Sequence, residues 1–301
     1  MNITLTGATG FIGRRLVRRL LDDGHSLRTL ARRPADGLEG DVRFFRWDAI
    51  EDSVPEESVA GADAVIHLAG EPVSQRWTAE AKERIRRSRL DGTRRMVEAL
   101  SVLSRRPSVL ISASAIGYYG DRDGEVLTEM SLPGDGFLPE LCVEWEHMAD
   151  LAQALGIRVV KVRIGLVLGR EGGALSQMLT PFKFGVGGRL GSGKQWMSWI
   201  HLNDVVELFL WAMESQDLHG PVNGTAPQPV TNEVFTRDLA ETLHRPAVMA
   251  VPKLALKVMY GEMADVILQS QRVLPRVAQT AGFRYRFPEL GGALQDLLGA
   301  E

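Results

Sequence analysis

The apolar positions at the start of the chain change rhythm in a regular way. Asn2-Ile-Thr-Leu-Thr6 is a short β-branched run ending in glycines, which predicts a strand. Phe11, Ile12, Leu16, Val17, Leu20 and Leu21 then recur at helical spacing, which predicts a helix with Arg14, Arg15, Arg18 and Arg19 toward solvent. Gly24 is a natural stop, and residues 26–31 read as a second strand. Further strands are expected at 42–46, 64–68, 108–113 and 157–163, with helical patterns at about 79–103 and 139–155. Strands alternating with helices imply an α/β fold. Its core is a doubly wound parallel sheet covered on both faces, since a parallel crossover needs a long connection.

The pattern changes after Gly169. Glycines become dense up to Gly193, with one helix-like stretch at 174–184. Residues 201–215 read as one more sheet-covering helix and 221–224 as a last strand, after which Pro227 and Pro229 mark a boundary. The tail is mostly helical in pattern, with short apolar stretches around Val248 and Phe283. The expected organisation is a sheet domain over 1–169, rejoined by 200–226. Residues 170–199 and 227–301 are expected to build a smaller, mainly helical cap that forms the substrate region.

The sharpest motif is Thr6-Gly7-Ala8-Thr9-Gly10-Phe11-Ile12-Gly13, with glycines spaced G-x-x-G-x-x-G. It follows the first strand and opens the first helix, the context in which such glycines bind a dinucleotide. Gly7 permits a tight turn, Gly10 the approach of a pyrophosphate, and Gly13 close packing of helix on sheet, with the helix N-terminus facing the anion. Thr9, Phe11 and Ile12, in the same loop, are expected to bind the cofactor with these glycines. The second strand ends in Leu30-Ala31-Arg32-Arg33-Pro34, without the acid that would bind a ribose 2′-hydroxyl. Arg32 and Arg33 suit a 2′-phosphate, so the expected cofactor is NADP(H) within a Rossmann-type domain.

Composition narrows the classes. Hydrophobic residues make up 45% and charged residues 24% of 301, and the net charge is −3, without the basic excess of a nucleic-acid binder. No apolar run suggests a membrane span or signal peptide, so neither a membrane nor a nucleic acid is an expected partner. The single cysteine, Cys142, excludes an internal disulfide and a multi-cysteine metal site, and no metal is expected. A reducing cytoplasm fits these features.

Several stretches together resemble an extended or atypical short-chain dehydrogenase/reductase: residues 6–13, His67-Leu-Ala-Gly70, Ser112-Ala-Ser114 and Tyr118-Tyr119-Gly120. More narrowly, Leu68-Ala-Gly-Glu71, Trp77, Ser88-Arg89-Leu90, residues 163–169 and 187–195, Trp199-Ile-His201 and Gln271-Arg-Val-Leu-Pro275 are similar to an epimerase-like NADP-dependent subfamily. Its members, often labelled nucleoside-diphosphate-sugar epimerase, end in a C-terminal domain of unknown function. The resemblance implies that Leu68, Ala69 and Gly70 run past the cofactor. It further implies that Asp48 meets the adenine and that Arg89 and Val167 are cofactor contacts. Arg89 also lies in an arginine-rich helix, where a solvated face is the alternative.

The departure from the superfamily concerns chemistry. Its usual acid/base pair is Tyr-x-x-x-Lys, yet Tyr118, Tyr119, Tyr260 and Tyr285 are followed at +4 by Arg122, Asp123, Ala264 and Glu289. Leu138 and Cys142 stand where the pair is expected, and neither can do that work. The remaining catalytic candidates are Ser114 and Tyr118, to polarise a reacting oxygen, and Glu71, for proton transfer. The 187–193 loop with Lys194 is expected to offer backbone N–H groups and a cation to a small, anionic substrate. His201 is expected to order this loop rather than move protons. Two functions stay open: an NADP(H)-dependent oxidoreductase or epimerase-like enzyme, and a non-catalytic NADP(H)-binding regulatory protein.

Overall fold

The computed structural model describes residues 1–34, 40–247 and 249–299, so Val248, at the centre of one anticipated apolar stretch, lies outside the described residues. Seven parallel strands form one sheet: β1 (Asn2–Thr6), β2 (Ser26–Ala31), β3 (Val42–Arg46), β4 (Ala64–His67), β5 (Val109–Ala115), β6 (Arg158–Ile164) and β7 (Gly220–Gly224). Their spatial order is β7-β6-β5-β4-β1-β2-β3. The winding direction reverses between β1 and β4, and open α/β sheets bind ligands at the carboxyl ends of the strands beside such a reversal.

Successive strand residues feed opposite faces. Ile3, Leu5, Ile66, Ile111 and Val160 pack against Leu16, Val17 and Leu20 of the helix Phe11–Asp22 and against Val205, Leu208 and Phe209 of the helix Leu202–Glu214. Leu30, Val65, Leu110 and Val159 meet Met96, Val97 and Leu100 of the helix Ala79–Ser101, and Ala149 of the helix Phe137–Asp150. Burial on both faces is why β4 and the start of β5 read as continuous apolar runs. Each such leucine or valine contributes roughly 1.5–3 kcal/mol. Arg14 and Arg18 are exposed as expected, but Arg15 and Arg19 are not free at the surface. Arg15 donates to Asn203 (2.9 Å) and Arg19 to Glu207 (2.8 Å), which ties the two helices of this face together.

Very short strand pairs join the rest of the chain to this domain. Leu166–Gly169 runs parallel to Trp199–His201, Gly188–Leu190 to Met249–Val251, and Val126–Leu127 to Arg272–Val273, while Trp196–Met197 pairs antiparallel with Val230–Thr231. The helices Gly173–Lys183, Asn232–Thr242 and Leu290–Leu298 share a second core around Leu175, Phe182, Phe235, Leu239 and Leu294. Val277, Ala278, Phe283 and Tyr285 instead pack on the sheet core, so part of the C-terminal stretch covers the sheet domain itself. Asp204 fixes this return by accepting the Arg286 and Phe287 amides, each at 2.9 Å. Among the described residues, no helix is long and apolar enough to cross a membrane.

Candidate functional site

The crevice is built first by glycine. Gly7 has φ +74°, and a Cβ there would lie 2.9 Å from the Leu68 carbonyl carbon, so the turn after β1 presses against the chain leaving β4. A Cβ on Gly13 would run into the Gly7 carbonyl oxygen. Gly10 is the N-cap of the helix Phe11–Asp22 and supplies no side-chain cap, which leaves the first-turn amides at the helix's positive end free of one. Half-buried Thr9 accepts Arg14 Nε through its carbonyl (2.9 Å). The Phe11 ring sits in a nest of glycines. A Cβ on Gly172 would lie 2.6 Å from it, and one on Gly173 2.8 Å. Phe11 thus locks the loop to the strand that carries buried Val167, while Ile12 is half-buried beside it.

The exit of β4 is held by polar chemistry. Thr6 Oγ1 accepts the amides of Leu68 (3.1 Å) and Ala69 (3.0 Å) and lies 2.9 Å from His67 Nδ1. His67 Nε2 lies 3.1 Å from Thr93 Oγ1, which also accepts Trp145 Nε1 (3.0 Å). A neutral imidazole protonated at Nε2 satisfies this chain, and burial pulls the His67 pKa down to about 4. Below Gly70 lies Arg89. Its guanidinium carbon would be 3.2 Å from a Cβ on Gly70 and is 5.1 Å from the Trp145 ring centre, and its Nη1 donates to Glu71 O (3.0 Å) and Ile85 O (3.1 Å). Burial lowers its pKa, opposed by Cys142 and Glu71. Arg89 therefore faces inward, whereas its helix neighbours Arg84, Arg86, Arg87 and Arg94 each meet a carboxylate.

Arg32 and Arg33 are exposed just past β2, with no carboxylate partner among the described residues. Asp48, after β3, closes a turn: its Oδ1 accepts the Ile50 amide (2.8 Å) and its own amide donates to Asp52 (2.8 Å).

The catalytic candidates are placed unequally. Ser114 is 2% exposed and donates its hydroxyl proton to Glu146 Oε1 (2.7 Å). Glu146 forms a bidentate pair with Arg163 (2.7 and 2.9 Å), and Arg163 donates to the Tyr119 hydroxyl (3.0 Å), which donates to Asn223 Oδ1 (2.7 Å). Burial works against the Arg163 charge, but Glu146 and Tyr119 hold its pKa above the ordinary value; burial pushes Tyr119 up to about 12. In this structure the Ser114 proton is thus directed to Glu146. Tyr118 lies face-on to Arg163, 3.4 Å from ring centre to guanidinium carbon, and its hydroxyl has no partner among the described residues. The Glu71 amide donates to Ser88 (2.9 Å), and its half-buried carboxylate is 3.8 Å from Arg84. The sequence reading missed Glu146, Arg163 and Asn223. The available signal for Arg163 was the alternation of Lys161 and Arg163 with apolar residues inside β6.

Leu138 lies against Gly117 and packs on the buried cluster of Trp77, Ile85 and Leu141, as Phe137, Met263 and Val266 do, while Cys142 is buried with its thiol pushed up to about 12 by desolvation and Glu146. In the 187–193 loop the Gly191 and Gly193 amides donate to Val251 O (2.9 Å) and Leu190 O (3.1 Å), the neighbouring Lys194 amide donates to Ser192 Oγ (3.2 Å), and the Lys194 side chain is exposed. Trp199 is fully buried and Trp196 half-buried under Arg272. His201 Nδ1 caps its helix by accepting the Asn203 amide (3.0 Å), an ordering role.

Comparison with known proteins gives a consistent picture. Residues 3–223 match the NAD dependent epimerase/dehydratase family, and residues 251–297 match a domain of unknown function, DUF1731. A chloroplastic epimerase family protein SDR39U1 homolog of Arabidopsis thaliana is 42% identical, with the match spanning 99% of this chain and 87% of that protein. Epimerase family protein YfhF of Bacillus subtilis (strain 168) is 38% identical over 99% and 98%. Human epimerase family protein SDR39U1 (isoform 2), solved with NADPH, is similar at TM-score 0.90 and 32% identity over 100% of both chains. A nucleoside-diphosphate sugar epimerase from Corynebacterium glutamicum is similar at TM-score 0.81 and 33% identity, over 100% of this chain and 59% of that one.

Proposed function

The chain belongs to the NAD dependent epimerase/dehydratase family, and on that premise we propose that it is an NADP(H)-dependent oxidoreductase or epimerase-like enzyme of small-molecule chemistry. One observation carries the cofactor choice: the exposed arginine pair just past β2, without a carboxylate partner among the described residues, beside a glycine cradle that tolerates no Cβ at Gly7 or Gly13. NADPH bound to the human relative supports it. Gly10, Phe11, Ile12 and Gly13 would hold the pyrophosphate through backbone amides, with Gly7 and Thr9 shaping the turn. Arg32 and Arg33 would hold the 2′-phosphate and Asp48 the adenine, with Leu68, Ala69, Gly70, Arg89 and Val167 flanking the rest. When bound, the nicotinamide ring supplies or accepts a hydride.

Tyr118 is the leading donor to a substrate oxygen, because its hydroxyl has no partner among the described residues and its ring is held by Arg163. Ser114 would act through Glu146 or as an acceptor, and Glu71 is the reserve proton carrier. The test is a screen of carbonyl compounds for NADPH consumption, followed by Ser114→Ala, Tyr118→Phe and Glu71→Gln. A positioned acid/base group contributes about 10²–10⁴-fold, so at least one variant should lose more than tenfold in rate. Turnover that survives all three changes refutes these roles. A second reading, a non-catalytic NADP(H)-binding regulatory protein, is favoured by the apolar Leu138 and Cys142 at the position of the usual acid/base pair. Tight NADPH binding with no turnover on any compound selects it.

A further inference from the structure

The boundary between the cap and the sheet domain passes over the position where the acid/base pair is missing, and the contact there is largely apolar, with the Lys82 ammonium at its edge over the Trp77 and Phe137 rings (5.5 and 5.6 Å). Leu138 meets Gly117 beyond the end of β5, with 3.4 Å between its Cβ and a Cβ built on that glycine. Around it, Val73 and Phe137 from the sheet domain and Met263 and Val266 from the short helix Met263–Ile267 pack against buried Trp77, Ile85 and Leu141. Leu138, Val73, Met263 and Val266 all stay half-buried, so part of each side chain is left open for a ligand to cover. The stretch carrying Met263 and Val266 is fixed at both flanks. Met249–Val251 pairs with Gly188–Leu190 on one side, and on the other Ser270 accepts the Trp196 amide (3.0 Å) and donates its own amide to Asp121 (2.9 Å). Between these anchors few groups hold it down: Leu256 and Ala264 are the buried side chains of its two helices, with a Lys82–Glu262 ion pair at the rim. Leu254, Val258 and Met259 on the outer side are exposed.

We propose that Leu138, Met263 and Val266 form the apolar wall of the substrate pocket, so that the accepted substrate is an uncharged, apolar carbonyl compound and not a sugar nucleotide. A sugar presents several hydroxyls, and each one desolvated against such a wall loses hydrogen bonds that Leu138, Met263 and Val266 cannot replace. The Gly191, Gly193 and Lys194 amides cannot replace them, since they are already used within the fold. Gly191 touches this same stretch, with Leu268 3.3 Å from a Cβ built there. The small number of buried contacts fits a segment that opens at low free-energy cost to admit such a compound.

The inference rests on the cofactor reading above, so the test first establishes NADPH binding by its fluorescence enhancement. 4-Phenylbutan-2-one and UDP-glucose are then added separately to the NADPH-loaded protein. Binding is followed by calorimetry and by hydrogen exchange of residues 262–268. The ketone is expected to bind and to slow exchange in that stretch, and UDP-glucose to do neither. Val266→Thr, close in shape but carrying a hydroxyl, should weaken the ketone about fourfold or more, by the transfer cost of one methyl-sized group, with NADPH affinity unchanged. Leu138→Gln should do the same from the opposite side of the cleft. Protection by UDP-glucose, no ketone binding in the NADPH-loaded protein, or ketone affinity indifferent to both changes overturns the proposal. Failure to bind NADPH at all is a different outcome and overturns the cofactor reading, and with it the inference.

Discussion

Arg32 and Arg89 show how differently two arginines of one crevice can be used. Arg32 is exposed past β2 and meets no carboxylate among the described residues, so its charge is available to a ligand phosphate. Arg89 is pressed between Gly70 and the Trp145 ring and spends Nη1 on two carbonyls, so it shapes the β4 exit as well as lining it. A hydrogen bond to a charged group is worth roughly 1.5–3 kcal/mol, and about 1.4 kcal/mol is tenfold in affinity. Arg32→Ala is therefore expected to weaken NADPH about 10- to 100-fold and to leave NADH nearly unchanged, as read by calorimetry. Equal losses for both cofactors would remove Arg32 from the 2′-phosphate role. Gly13→Ala acts by another route. Its Cβ meets the Gly7 carbonyl, which is backbone and cannot rotate aside. The glycine loop must shift, so both cofactors should weaken together, with about 1–3 kcal/mol of stability lost on denaturant titration.

The helix Leu202–Glu214 does more than cover the sheet. His201 caps it, and Asp204 in its first turn accepts two amides of the returning tail. Burial raises the Asp204 pKa, while those amides and Arg286 hold it down. Asp204→Asn replaces one acceptor oxygen by an amide nitrogen facing a backbone N–H, at a cost of about 1–3 kcal/mol. The melting temperature should fall by several degrees, and exchange in residues 284–299 should rise before that of β1 or β4; unchanged exchange there would sink the anchoring role. Asp204 also marks where sequence reasoning stops. The sheet strands and their covering helices were legible because each spans enough residues for its apolar period to register. The glycine loop was legible because its spacing falls between a strand and a helix. Pairs such as Trp196–Met197 with Val230–Thr231 are two residues long and have no period to read. The Ser114–Glu146–Arg163 chain joins β5, a helix and β6 across the fold, and nothing local in the sequence announces it.

Across the whole molecule, His67 is the group that couples the layers to pH. Its ring links Thr6 on β1 to Thr93 on one covering helix, and Trp145 on the next reaches the same hydroxyl. Protonating the ring would break this chain at Thr6, whose proton would then face a second donor. The folded pKa is about 4 against the ordinary 6.5, so between these values the unfolded chain binds a proton that the folded protein does not. Stability then rises with pH across that window and is lost as pH falls through it, by up to about 1.4 kcal/mol per unit. His201, also lowered by burial, acts in the same sense; Asp204, with its pKa raised, acts in the opposite one, since its folded form holds a proton more tightly than its unfolded form. The wild-type curve alone mixes these contributions, and the difference from His67→Asn isolates one of them. The variant is expected to be less stable at pH 7, where it lacks the full chain. From pH 7 to 4.5 the wild type should then lose about 2–3 kcal/mol more than the variant, measured by urea unfolding at each pH. NADPH affinity of the wild type should fall over the same range, because the Leu68 and Ala69 amides depend on the Thr6 oxygen that His67 orients. Parallel stability curves for the two proteins would show that His67 does not titrate in this window, and the pH coupling assigned to it would have to be given up.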